Sequence, residues 1–187
     1  LISGGRLVHW KGYDLTVEGF ARYAKRGPAS AKLFITGDGP YKPILMDLVR
    51  KLDVEARVEF VRLPTKADVL ELYRSCTLFM MPTLRDGPLQ GIVEAMAMAL
   101  PVICVKPGPQ DELVPDAAGL KVELGNRGQV VDGIADALAW AATHRAELRQ
   151  MGLRAHAHIE QFYRWDRIGD EVQAVYRELL ESPPADE

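Results

Sequence analysis

Cysteine is scarce in this sequence, which carries two, Cys76 and Cys104, in 187 residues. Each precedes or sits in an apolar run, Cys76-Thr77-Leu78-Phe79-Met80 and Val102-Ile103-Cys104-Val105. Both are expected as buried thiols in strands, not as a disulfide or a metal pair. No group of side chains has metal-ligand spacing, so neither a metal nor another cofactor is expected. His156 and His158 stand two apart, do not share a helix face, and are expected at the surface. A strongly basic stripe is also lacking. The formal charge is -3, with acids and bases interspersed, which excludes the usual electrostatic footprint of a nucleic-acid binder. No apolar stretch approaches the ~18 residues a membrane span needs. No signal peptide is expected, because Leu1-Ile2-Ser3-Gly4-Gly5-Arg6-Leu7 looks like a strand already under way. The expectation is a chain cut at a domain boundary, with the missing material N-terminal. A cytoplasmic location follows, with any membrane association made through the absent part.

Nearly half of the residues are apolar, 48%, enough for a substantial core. The length suits one domain of roughly 100–200 residues. Short apolar runs alternate with amphipathic segments. The runs are 1–7, 31–36, 57–61, 78–82, 101–105 and 119–122. Helical candidates lie at 12–26, 43–52, 67–75 and 92–99. In the first of these, Leu15, Val17, Phe20, Ala21 and Ala24 fall mostly on one side. This β-α-β-α order predicts an α/β fold, a Rossmann-like parallel sheet of about six strands with helices on both faces. Runs such as Leu33-Phe34-Ile35 suit strands buried on both sides. From about 127 to 180 the pattern is helical throughout, with one stripe at Ile134, Leu138 and Ala141 and another at Val172, Val175, Tyr176 and Leu179. Residues 1–181 are therefore expected to form one domain, and 182–187 a frayed tail.

In an open parallel sheet, ligands bind beyond the carboxyl ends of the strands. Three loops there carry chemistry. Gly5-Arg6-Leu7-Val8-His9-Trp10-Lys11-Gly12 places two cations between a strand and a helix. A guanidinium fork, a mobile ammonium and free helix N–H groups suit a diphosphate. Two solvated surface cations would have the same pattern. Thr36-Gly37-Asp38-Gly39-Pro40-Tyr41 lets backbone approach a ligand and gives Pro40 as a helix starter, although a plain tight turn explains it equally well. The third segment, Met81 to Val102, leads from a strand through a Gly/Pro-rich loop into an Ala/Met helix. Asp86 lies in the loop and Glu94 about one turn into the helix. Carboxylates accept well from vicinal hydroxyls. An acid favoured by the helix dipole at Glu94, and a turn former at Asp86, are the plain alternatives.

Taken in order, these segments resemble the C-terminal domain of retaining GT-B glycosyltransferases of the group 1 type, glycosyltransferase family 4. Asp86, seven residues, then Glu94-Ala95-Met96-Ala97 is similar to that family's acid and Glu-Ala-Met-Ala hallmark. Gly5 to Gly12 resembles its Gly-Arg-Leu-x-x-x-Lys-Gly opening. Gly37–Pro40, Leu100–Ile103, Glu112-Leu113-Val114 and Tyr163-Arg164-Trp165 resemble its later motifs. The resemblance implies a donor site for a nucleotide diphosphate sugar. Arg6 and Lys11 would hold the diphosphate and, with Asp86, form the catalytic group. Glu94 would accept from the ribose hydroxyls, and Asp86 would contact the sugar. Backbone at Gly5, Gly37 and from Gly87 through Leu89 and Gln90 to Gly91 would line the ligand. Leu63, in the loop after Val61, would lie near the nucleobase.

The implied activity is transfer of the sugar to an acceptor hydroxyl with retention, without a metal. The acceptor, a glycan or lipid, would be bound by the absent N-terminal domain, so this part alone is expected to be inactive. No general base or covalent nucleophile stands out. Four positions depart from the family pattern: Asp86 for Glu, Gly87-Pro88-Leu89-Gln90 for Gly-Phe-Gly-Leu, Ala99 for Gly, and Gly108-Pro109 for Gly-Gly. Pro88 removes a backbone donor, and Ala99 is expected to alter its helix cap. These departures leave two alternatives, a catalytically lapsed nucleotide-sugar-binding module and a GT-B-fold epimerase.

Overall fold

The computed structural model describes residues 1–85, 89–108 and 110–181. Asp86, Gly87, Pro88, Pro109 and the tail 182–187 lie outside the described residues. Six parallel strands form one sheet: β1 (Ile2–Gly4), β2 (Leu33–Thr36), β3 (Val58–Val61), β4 (Phe79–Met80), β5 (Val102–Lys106) and β6 (Gly119–Glu123). Among the described residues, seven α-helices accompany them: α1 (Tyr13–Ala24), α2 (Lys42–Lys51), α3 (Lys66–Ser75), α4 (Gln90–Ala97), α5 (Arg127–Thr143), α6 (Arg145–Phe162) and α7 (Trp165–Glu181). The strand order is β3-β2-β1-β4-β5-β6. The first three strands build outward in one direction and the last three in the other. The reversal falls between β1 and β4.

The expected α/β sheet with helices on both faces is what forms, and the alternation along each strand shows why. Leu78 and Met80 enter one apolar cluster, together with Ile103 and Val105, against α1, α2 and α5. Phe79, Met81, Val102 and Cys104 enter a second cluster, against α3, α4 and α6. Each central strand is thus apolar on both faces, because helices cover both. Charged side chains join α1 to α5 at the rim: Arg127 donates to Asp14 (2.7 Å) and to Glu18 (2.9 Å).

Several boundaries differ from expectation. The first run was expected to be strand through Leu7, but β1 stops at Gly4. Residues 5–12 instead fold across the sheet end, with the Leu7 N–H donating to Asp38 (2.9 Å) and the Tyr41 N–H to Leu7 (3.0 Å). Helix α2 starts at Lys42 with Pro43 in its first turn, so Pro40 is not the starter. Cys104 is a buried strand thiol, whereas Cys76 caps the C-terminus of α3 and is only partly buried. Helix α7 has no buried residue, and its stripe of Val172, Val175, Tyr176 and Leu179 is uncovered by the described residues.

Ala99 does not alter its cap. Its φ is 57°, the left-handed position that glycine would fill. The Leu100 N–H reaches Ala95 (2.9 Å) and the Ala99 N–H reaches Met96 (2.9 Å), the double bond of a Schellman ending. An L-residue there costs roughly 1–2 kcal/mol, partly offset by glycine's greater unfolded-state freedom. Ala99→Gly should therefore stabilise the domain by about 0.5–1 kcal/mol, seen as a denaturant midpoint that rises without a change in slope.

His158 is half-buried, contrary to a surface placement, and packs on Phe162 and Tyr163 (ring centroids 5.0 and 5.5 Å). Burial holds its pKa below the ordinary imidazole value of 6.5. The folded state therefore favours the neutral ring. This contribution to stability is complete above pH 6.5 and is lost as the pH falls through the lower folded value. His158→Phe should show a smaller loss of thermal stability between pH 7 and pH 5 than the parent, measured by calorimetry.

Candidate functional site

Beyond the carboxyl ends of β1, β2 and β4 the sheet opens into a cleft of about 340 Å³. It lies where the strand order reverses, the place an open α/β sheet leaves for a ligand. Its floor is backbone. Strand β1 delivers Gly4 and Gly5, β2 delivers Thr36 and Gly37, and β4 delivers Met81. The Gly5 N–H donates to Thr36 (3.1 Å), which brings the two turns together. Gly37 has φ 117°, and a methyl group on it would stand 2.0 Å from the Gly5 carbonyl oxygen. Only glycine fits there.

The cations come from the folded-over loop. Arg6 is exposed and Lys11 half-buried, and both line the cleft. The Lys11 ammonium lies 3.7 Å from the Cβ position of Gly5, so it points into the floor. Lys11 ends a short 3₁₀ turn (His9–Lys11), and α1 follows it after Gly12. Gly12 has φ 70°, and any β-carbon on it would meet the Pro82 carbonyl at 2.2 Å. That contact locks the cation loop against the loop after β4.

The opposite wall is the first turns of α4. Leu89, Gln90, Gly91 and Glu94 line the cleft from this side. The N-terminal N–H groups of α4 therefore face the same space as Arg6 and Lys11, an arrangement that suits an anion. Glu94 lies past the first turn, which holds no acid, so helix-dipole stabilisation does not explain its position. Its side chain is 17% exposed and forms an ion pair with Lys66. Tyr73 lies buried beside it, its phenol pushed above the ordinary range first by burial and then by the charge of Glu94. Tyr73 therefore stays neutral at any ordinary pH.

Eight of the residues singled out from the sequence thus meet around one cleft: Gly5, Arg6, Lys11, Gly37, Leu89, Gln90, Gly91 and Glu94. Leu63 does not join them. It sits half-buried in the loop after the edge strand β3, outside the cleft lining. Asp86 and Gly87 lie outside the described residues. Lys66, Val69 and Tyr73, all on α3, line the cleft without having been singled out. One signal in the sequence bears on Lys66. Thr65 and Asp68 form a capping box, with the Asp68 N–H on Thr65 (3.2 Å) and the Thr65 N–H on Asp68 (3.1 Å). That pattern marks the start of α3 and places Lys66 at its first position.

A larger hollow of about 500 Å³ lies at the amino ends of the strands, lined by Leu1, Lys32, Leu78 and Arg145 among others. No carboxylate lines it, and the glycine turns do not face it. Size alone does not mark the site. Among the described residues, no three His, Cys, Asp or Glu side chains stand close enough to hold a metal ion. No helix among them is long and apolar enough to cross a membrane.

The fold is a Rossmann-like α/β domain with a cleft at the reversal of strand order. More specifically, residues 1–140 match the family model of the glycosyl transferases group 1, and the chain belongs to that family. It is 31% identical over 183 residues to a D-inositol 3-phosphate glycosyltransferase of Nocardia farcinica, covering 94% of this chain and 40% of that protein. It is 28% identical over 165 residues to an N-acetyl-alpha-D-glucosaminyl L-malate synthase of Bacillus anthracis, covering 88% and 41%. The chain thus spans about 40% of the length of these relatives. Among solved structures it superposes on the pneumococcal O-GlcNAc transferase GtfA in complex with UDP and GlcNAc with a TM-score of 0.82 at 17% identity, covering 97% of this chain and 36% of that one. The C-terminal domain of the group 1 protein LpcC of Francisella tularensis gives 0.76 at 20% identity, covering 88% and 86%.

Gly37→Ala should lower stability by on the order of 3 kcal/mol, since a strained φ and a backbone clash coincide. The urea midpoint of the purified variant measures this.

Proposed function

We propose that this chain is the donor-binding half of a glycosyltransferase that moves a sugar from a nucleoside diphosphate to an acceptor hydroxyl, with retention at the anomeric carbon. One observation carries the reading: Arg6, Lys11, the α4 N-terminus and Glu94 converge on one glycine-floored cleft at the reversal of strand order, in a chain of this family. The neighbour solved with UDP and GlcNAc supports the same ligand class.

In this reading the diphosphate lies against Arg6, Lys11 and the N–H groups of Gln90 and Gly91 in the first turn of α4. As the bond to the anomeric carbon breaks, negative charge grows on the departing diphosphate. Fixed cations and amide dipoles aimed at that charge stabilise it without reorganising, and in many enzymes such preorganised charge lowers the barrier more than any other effect. The guanidinium offers a planar fork and the ammonium a point charge, so the two are not interchangeable. Glu94 accepts from the ribose hydroxyls. Asp86 meets the sugar hydroxyls, the Gly87–Gly91 backbone lines the sugar, and the nucleobase extends beyond the cleft lining toward Leu63 on the β3 loop. No metal takes part. The remainder of the protein binds the acceptor, a glycan or lipid, and residues 1–187 alone do not turn over.

The test uses the full-length protein with a panel of nucleotide sugars, read first by thermal shift and then by product analysis. A bound ligand at 100 times its dissociation constant adds about 2.7 kcal/mol of stability. Arg6→Ala and Lys11→Ala should each lower transfer by on the order of 10²–10³-fold. Unchanged transfer in Asp86→Asn and Glu94→Gln would sink the assignment of both acids. Binding without transfer would indicate a lapsed binding module, and epimerised sugar an epimerase.

A further inference from the structure

Lys66 occupies a position that its own helix does not favour. It is the first residue of α3, directly after the N-cap Thr65. The unpaired N–H groups make that end of a helix positive, and a cation there is disfavoured. Nor does α3 need Lys66 to start, because Thr65 and Asp68 cap each other. Its side chain instead crosses the cleft to α4 and pairs with Glu94. The two partners differ in environment. The Lys66 side chain is 55% exposed, and that of Glu94 only 17%. Glu94 also stands close enough to the buried Tyr73 phenol for its charge to oppose ionisation there. That neighbour supplies no positive charge. A residue that breaks a local rule is expected to answer to something outside its own element.

We propose that Lys66 is a positioning residue for the nucleotide, holding the Glu94 carboxylate inside the cleft and toward the ribose before the ligand arrives. The inference rests on the reading of Glu94 as the ribose acceptor. A carboxylate has two oxygens and about four lone-pair sites. An ammonium on Oε2 leaves Oε1, and part of Oε2, open to a diol. Without Lys66, a carboxylate at this depth is better solvated when it turns outward. Its ordering must then be supplied at the moment of binding. Freezing one such side chain weakens binding by about 2- to 12-fold. The diphosphate meets Arg6 and Lys11 instead, so Lys66 acts on the ribose contact and not on the phosphates.

The experiment measures affinity by calorimetry in the full-length protein. The probes are whichever of UDP, GDP and ADP binds most tightly, its 2′,3′-dideoxy analogue, and inorganic pyrophosphate. Lys66→Met should weaken the ribose diphosphate by about fivefold and change the dideoxy analogue and pyrophosphate by less than twofold. Lys66→Arg should restore most of the loss. In a Glu94→Gln background, Lys66→Met should have no further effect. An equal loss on all three probes would make Lys66 a direct phosphate contact and overturn the proposal, as would unchanged or tighter binding of the ribose diphosphate. Glu94→Gln separates the two levels of failure. If it leaves the preference for ribose over dideoxyribose intact, the ribose reading of Glu94 has failed, and the inference with it. If it abolishes that preference while Lys66→Met changes nothing, only the inference has failed. Absence of binding for all three nucleotides removes both.

Discussion

Six parallel strands, the central ones apolar on both faces, leave little room for polar chemistry inside this domain. Leu78 and Met80 face one core while Phe79 and Met81 face the other. Such a sheet has no solvated face on which to build a site. Functional groups are confined to the strand ends, where the chain turns toward a helix. The reversal of strand order between β1 and β4 then opens a gap at one edge, because the connections leave those two strands in opposite directions. The backbone at Gly5 and Gly37, the cations of the 5–12 loop and the first turns of α4 all border that gap.

Close backbone approach follows from the same constraint. The cation loop and the loop after β4 must lie against each other over the end of a narrow sheet. Gly12 allows this, with the Pro82 carbonyl where its side chain would be. The Leu84 N–H adds a second tie by donating to Trp10 (3.1 Å), and the fully buried Gln110 joins the loop after β4 to β5, donating to the carbonyls of Thr83 and Val105. The wall carrying Glu94 and the wall carrying Arg6 and Lys11 are therefore held by the backbone of three strand ends. Residues 1–140 place the chain among the glycosyl transferases group 1, and a donor site is the role proposed for this cleft.

The sequence departures have unequal consequences. Ala99 keeps the left-handed turn that glycine would take, so the end of α4 is unchanged in geometry and only less stable. Asp86, Pro88 and Pro109 lie outside the described residues.

Local pattern alone determined the class of fold, the six strand positions to within a few residues and most of the cleft lining. Hydrophobic runs and helical periodicity depend on neighbours a few residues apart, so they are visible in one dimension. The glycine turns and the cations were legible for the same reason, since each lies within one strand-to-helix loop. Tertiary structure decided the rest. It ended β1 at Gly4 rather than Leu7, because Leu7 bonds to Asp38 and Tyr41 in the turn after β2 and does not continue the ladder. It left Leu63 outside the cleft, because β3 is an edge strand with β2 between it and the gap. It brought Lys66 and Tyr73 to Glu94 across more than twenty residues of chain. A pairing between helices on the same face of a sheet has no period and no fixed spacing. Only the packed fold can reveal it.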